Sequence, residues 1–122
     1  MKLRFRQNSL RLRVNRREIE GLSNGLRLEE HVYFPGDTQL CYVLESAGAT
    51  VPQIEFKAGI IRVAVPSKTI QSWASTDEIG VYFDFPANGT VLKVAIEKDL
   101  ECIDGAPEER DPDAFPRSEK NC

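Results

Sequence analysis

Five cations alternate along the first fourteen residues. In the run KLRFRQNSLRLRV, Lys2, Arg4, Arg6, Arg11 and Arg13 occupy every second position on either side of Gln7-Asn8-Ser9, interleaved with Leu3, Phe5, Leu10, Leu12 and Val14. A strand's two-residue period puts the cations on one face and the apolar side chains on the other. Guanidinium groups present a planar fork that matches phosphate and carboxylate oxygens. The chemistry this spacing points to is recognition of a small phosphorylated or carboxylated anion, with Arg4, Arg6, Asn8, Arg11 and Arg13 as the candidate ligand-binding residues. A hairpin turning at Gln7-Asn8 or Asn8-Ser9 sets Arg4 opposite Arg11 or Arg13, and like charges facing each other are unfavourable. That face therefore calls for counter-charge, from a ligand, from Glu29, Glu45, Asp84 and Glu97 on other strands, or from the acidic end of the chain.

The remaining reactive side chains are few. The single histidine, His31, follows Glu29 and Glu30, and the three cysteines are Cys41, Cys102 and Cys122. No CxxC or HxxxH spacing is present, so no metal and no cofactor is expected, including at a site assembled from Cys102, Cys122 and His31. His31 is expected to hydrogen-bond a neighbour rather than act in acid-base catalysis, since no nucleophile can be placed beside it. Cys41 falls on the polar side of its strand by parity. Nucleic acid is disfavoured as a partner, because no aromatic residue is interleaved on the basic face, Phe5 being assigned to the buried side, and the isoelectric point is near 5.2. The expected activity is non-enzymatic binding.

The elements that position these residues read as the same series twice. After the hairpin, Asn15 caps a helix from about Arg16 to Asn24, with Glu18 three residues on as a capping box requires, and Gly25 ends it. Leu26 to Phe34 and Leu40 to Leu44 read as strands joined by a turn at Pro35-Gly36-Asp37-Thr38. From Ile54 the order repeats: a hairpin turning at Ala58-Gly59, a helix from Ser67 to Ser75, a strand over Ile79 to Phe85, a turn at Pro86-Ala87-Asn88-Gly89 and a last strand through Leu92, Val94 and Ile96. A shift of 51 positions lays Phe5 on Phe56, Arg11 on Arg62, Val14 on Val65, Ile19 on Ile70 and Leu22 on Trp73. The fold class expected is α+β, a duplicated ββαββ unit with about eight antiparallel strands in one curved sheet or barrel-like arrangement and two short helices. Residues 1–99 are expected to form a single domain of two repeats, 1–46 and 52–99, with 100–122 an acidic, proline-containing tail docked on it. Between the copies the charges differ. Lys2, Arg4, Arg11 and Arg13 become Gln53, Glu55, Arg62 and Ala64, so Glu55 faces Arg62 and only the first hairpin keeps a surplus of positive charge.

Composition sets the outer limits. The chain has 122 residues, 41% hydrophobic and 29% charged, with a net charge of -3, as expected of one ordinary globular domain. No apolar run approaches the roughly 18 to 20 residues of a membrane span and no signal peptide opens the chain, so a cytoplasmic location with reduced thiols and no membrane partner is expected. Charge is uneven: residues 1–17 hold seven basic side chains and no acid, and residues 100–122 hold seven acids against three bases. The tail could itself cover the basic hairpin or act as a docking arm for another protein.

Two resemblances follow from these motifs. RQNSLRLRV near the start, with EKDLEC and DPDAFP near the end, resembles a family of small uncharacterised bacterial proteins that read N-S-[IL]-R-[LF]-R and later E-K-D-x-x-C and D-x-F-P. The resemblance implies a bacterial protein without an assigned activity and singles out Asn8, Ser9, Arg11, Arg13, Lys98, Asp99, Cys102, Asp113, Phe115 and Pro116. The expected eight-stranded architecture is also similar to the CYTH-like triphosphate tunnel enzymes, which would imply phosphate-ester hydrolysis. Where those carry E-x-E-x-K on the first strand, this chain reads Lys2-x-Arg4-x-Arg6, and only Glu55-x-Lys57 comes near the pattern. The metal-binding carboxylates of such an enzyme are missing from that strand.

Overall fold

A computed structural model describes residues 1–100 and 113. The strands are β1 (Lys2–Arg6), β2 (Ser9–Val14), β3 (Leu28–Phe34), β4 (Thr38–Ala47), β5 (Gln53–Lys57), β6 (Ile60–Pro66), β7 (Gly80–Ala87) and β8 (Thr90–Lys98), and the helices are α1 (Arg16–Ser23) and α2 (Ser67–Ser75). The expected docked tail, 100–122, with Cys102, Cys122 and the motif residues Phe115 and Pro116, lies almost wholly outside the described residues.

Local chemistry accounts for the elements. Asn15 accepts a hydrogen bond from the Glu18 backbone N–H at 2.9 Å, and the Glu18 carboxylate accepts one from the Asn15 N–H at 2.9 Å, which closes the capping box of α1. Replacing Asn15 with Ala is expected to cost about 1 kcal/mol, read as a lowered urea midpoint at constant slope. The hairpin between β7 and β8 turns at Asn88-Gly89, with φ of 46° and 77°, the left-handed pair that matches the twist of the flanking strands. At the corresponding place between β5 and β6, Ala58 sits at φ 52° ahead of Gly59 at 76°. A Cβ is unfavourable there. Ala58→Gly is therefore expected to stabilise the protein by about 1 kcal/mol, visible as a raised denaturation midpoint.

The α+β class, the eight strands and the two helices are as expected, and the turn of the first hairpin falls at Gln7-Asn8, which pairs Arg4 with Arg11. The arrangement of the strands corrects two expectations. There is neither one continuous curved sheet nor a closed barrel: the strands form two four-stranded sheets, ordered β1-β2-β8-β7 and β3-β4-β6-β5. Nor is the pairing wholly antiparallel, because the central pair of each sheet, β2 with β8 and β4 with β6, runs parallel. Each half of the chain gives one hairpin to each sheet. The hairpin opening the first half joins the hairpin closing the second, and the other two make the second sheet, so the halves are interleaved.

The registers repeat with the topology. In the first sheet Ser9 lies beside Lys93, and Lys93 opposite Asp84. In the second, Ile60 lies beside Cys41, and Cys41 opposite His31. Ser9 and Ile60 are 51 positions apart, so Lys93 and Asp84 hold the places taken by Cys41 and His31 in the other sheet. The diagonal ion pair Arg11–Glu97, at 3.1 Å, recurs as Arg62–Glu45 at 3.7 Å.

The inner faces of both sheets meet in one core. Leu12, Val14, Leu44, Val63, Val65, Val94 and Ile96 are buried between them, and Leu22, Ile70 and Trp73 cover the end where β2 and β6 run into the helices. Gln71 ties the helices together by donating through Nε2 to the Ser23 carbonyl at 2.7 Å. At the opposite end, where the hairpins turn, the sheets are uncovered. Phe5, assigned to the buried side from its alternation, is 58% exposed there, and its counterpart Phe56 is 70% exposed. Alternation selects the inner face of a sheet, but at the open end none of the described residues packs over that face at Phe5 and Phe56.

Candidate functional site

The basic hairpin face is built as its alternation demands. On the outer side of the first sheet Lys2 lies opposite Arg13 and Arg4 opposite Arg11. Part of the counter-charge comes from the last strand and its exit: Arg11 Nε is 3.1 Å from Glu97 Oε1, and Lys2 Nζ is 2.8 Å from Asp99 Oδ2. Glu97 also accepts a hydrogen bond from the Tyr82 hydroxyl at 2.8 Å. Arg13 is engaged as well. Among the described residues Arg4 and Arg6 have no acidic partner, and both are exposed. Asn8 does something else: its Nδ2 donates to the Val91 carbonyl at 2.9 Å, and the Asn8 carbonyl accepts from the Lys93 N–H at 3.2 Å. These bonds fasten the turn of the first hairpin to the start of β8. What remains of the Asn8 side chain is Oδ1, an acceptor that repels an anion, and the second Nδ2–H, a neutral donor.

A second group of chemically capable side chains lies on the outer face of the other sheet. Glu29 and His31 on β3 and Cys41 on β4 bring one ligating atom each to within 4.8 Å of the others. His31 and Cys41 are directly opposite in register, with Nε2 4.0 Å from Sγ. Nε2 is also 2.7 Å from Glu29 Oε2, and Nδ1 is 2.9 Å from Gln39 Oε1. The Tyr33 ring stacks beside the imidazole at 6.1 Å between centroids. Arg27 holds the other Glu29 oxygen through Nη2. With acceptor oxygens at both ring nitrogens, first Glu29 and then Gln39, the imidazolium is favoured and the His31 pKa rises. The Glu29 carboxyl is held below its ordinary value, chiefly by the hydrogen bond to His31 and next by that to Arg27. Burial pushes the Cys41 thiol up, so it is a poor nucleophile as it stands.

Sequence reasoning placed Cys41 on the polar side of its strand but left it without a partner. In fact the thiol is buried beneath the imidazole. The signal was present in the hairpin. With the three-residue loop Pro35-Gly36-Asp37 closing on Phe34 and Thr38, strict pairing sets His31 against Cys41, whereas a four-residue turn does not.

Between the open ends of the two sheets is an apolar cleft of about 640 Å³, with Phe5, Leu10 and Leu92 from one sheet facing Leu40, Phe56 and Ile61 from the other. Glu55 is the charged residue of its lining. Among the described residues the strands form two open sheets rather than a closed tunnel, and no cluster of carboxylates able to bind a catalytic cation lines the cleft. No described helix is long and apolar enough to cross a membrane.

Among known sequences, one family model, described as a family of unknown function, DUF7009, matches residues 1–119. No curated protein and no solved structure matches the chain.

Proposed function

The chain belongs to the DUF7009 family of unknown function, and we propose that it is a non-catalytic binding protein that takes a small anion on the basic face of its first hairpin. One observation carries the reading. Arg4 stands directly opposite Arg11, whose charge is met by Glu97, while Arg4 and Arg6 have no acidic partner among the described residues. Two exposed forks beside a like charge form a local positive field that a phosphate or carboxylate relieves. The equivalent place on the other sheet is self-neutralised, with Arg62 Nη1 3.4 Å from Glu55 Oε1. In this reading Arg4 and Arg6 meet the ligand, Arg11 and Arg13 supply the background field, and Asn8 fixes the hairpin.

The test is thermal unfolding with and without millimolar pyrophosphate or tripolyphosphate at low and high salt. A ligand bound by the folded state raises the midpoint by mass action, and a surface electrostatic site loses that gain as salt shortens the Debye length. Arg4→Glu combined with Arg6→Glu is expected to abolish the gain without lowering the midpoint of the ligand-free protein. An unchanged gain in that variant, or none in the parent, rules the site out.

The exposed aromatic pair favours a second reading in which the ligand is amphipathic. Phe5 and Phe56 sit at the mouth of the apolar cleft, and each is followed in its strand by a cation, Arg6 or Lys57. A short-chain or aryl carboxylate would place its apolar body in the cleft and its charge at that lip. Competition of such carboxylates with a hydrophobic dye, lost on Phe56→Ser and retained on Arg4→Glu, separates this reading from the first.

A further inference from the structure

We propose that Glu29, His31 and Cys41 form a binding site for a borderline-soft divalent metal, zinc being the best match, on the outer face of the second sheet. The site is independent of the anion face, which lies on the other sheet.

The donor set is a thiol sulfur, an imidazole nitrogen and a carboxylate oxygen, the three ligand types that zinc takes in tetrahedral sites. Their spacing is close to what coordination needs. Bonds of about 2.0 to 2.3 Å at tetrahedral angles put ligand atoms roughly 3.3 to 3.6 Å apart. Here Sγ and Nε2 are 4.0 Å apart, and Nε2 and Glu29 Oε2 are 2.7 Å apart. Small rotations of two partly exposed side chains on rigid, directly paired strands open the second distance and close the first. The backbone does not have to move.

The neighbours of the three ligands are arranged as metal-site neighbours usually are. Gln39 Oε1 at 2.9 Å from Nδ1 keeps that nitrogen protonated and leaves Nε2 as the ligating atom. Arg27 occupies one Glu29 oxygen and leaves Oε2 for a single bond to the metal. A divalent metal binds the thiolate and the unprotonated Nε2, so any proton these atoms carry is released on binding. Three protein ligands leave a fourth position for water.

Comparison of the two sheets argues that the cluster is not required by the fold. At the places of His31 and Cys41 the first sheet has Asp84 opposite Lys93, an ordinary cross-strand pair. The same framework therefore closes without a histidine over a buried thiol. Hard cations such as Mg²⁺ prefer all-oxygen sites and are expected to be rejected.

The experiment uses the full chain with Cys102→Ser and Cys122→Ser, so that Cys41 is its single thiol, under a non-chelating reductant. Calorimetric titration with Zn²⁺ is expected to give one equivalent, undiminished by millimolar Mg²⁺. Co²⁺ is expected to produce thiolate-to-metal charge-transfer absorption with the strong d–d bands of a tetrahedral site. His31→Gln and Glu29→Gln, both at partly exposed side chains, should each weaken Zn²⁺ binding by more than about tenfold, and Gln39→Leu by about tenfold. Cys41→Ser should remove the charge-transfer band. If Cys41→Ser does not fold, the His31 and Glu29 variants decide. If the double serine background does not fold, the difference between the unaltered chain and its His31→Gln variant takes its place. Absence of one-to-one binding, or binding indifferent to His31→Gln, overturns the proposal.

Discussion

Trp73→Ala is expected to lower stability by about 3–5 kcal/mol, the largest effect of any single change considered for this protein. Trp73 is fully buried at the helix-covered end of the core, where it packs with Leu22, Ile70 and the inner faces of both sheets. Its indole Nε1 also donates to the Ile79 carbonyl at 3.1 Å, just before β7 begins. Truncation would leave a cavity too large for the surrounding strands to fill and remove one of the two donors to the Ile79 carbonyl, which keeps the Lys98 N–H at 2.9 Å. For a chain of this length the loss corresponds to a fall in the thermal midpoint on the order of 10–20 °C, measurable by circular dichroism or calorimetry. Trp73→Phe restores most of the volume but not the hydrogen bond, so it should retain the larger part of the stability. Leu22 holds the equivalent place on the first helix, and a smaller side chain is sufficient there.

Gly80→Ala is expected to cost about 1–3 kcal/mol and to disturb the basic face at the same time. A Cβ at Gly80 would lie 2.8 Å from the Ile96 carbonyl oxygen, 2.8 Å from Glu97 Cγ and 2.9 Å from the Tyr82 hydroxyl. The first of these is backbone within the β7–β8 ladder and cannot step aside without opening the pair. The other two belong to the bond that holds Glu97 against Arg11. Displacing Glu97 removes counter-charge from Arg11 beside Arg4, which has no acidic partner among the described residues. On the anion reading, Gly80→Ala therefore weakens the fold while strengthening the stabilisation by polyphosphate relative to the parent. The two effects are read separately, the first from the urea midpoint and the second from the ligand-induced shift. A variant that is destabilised but shows an unchanged shift would mean that Glu97 does not modulate the face.

The helices, the turns and the two faces of each strand were legible in the chain. Their causes are local. Asn15 and Glu18 form a capping box within four residues, Asn88-Gly89 supplies two left-handed conformations in succession, and alternation assigns Leu12 inward and Arg11 outward whatever the partner strand is. The repeat at a spacing of 51 was equally visible, because it is a property of residue types. Opposition within a hairpin also follows from the turn, which is why Glu55 against Arg62 was anticipated and Arg4 was set against Arg11 or Arg13, the turn at Gln7-Asn8 selecting Arg11.

Only the tertiary structure decided which hairpins share a sheet. Ser9 pairs with Lys93 and Cys41 with Ile60, in parallel, across gaps of sequence over which no periodicity carries information. Period two says which face a residue occupies and not what lies beside it. The exchange of hairpins places Glu97 against Arg11, leaves Phe5 and Phe56 uncovered at the open end and divides the eight strands into two sheets. A finer detail is local to one hairpin but was decided only by the observed turn: one residue of loop length between β3 and β4 sets whether His31 meets Cys41, and with it whether Glu29, His31 and Cys41 come together.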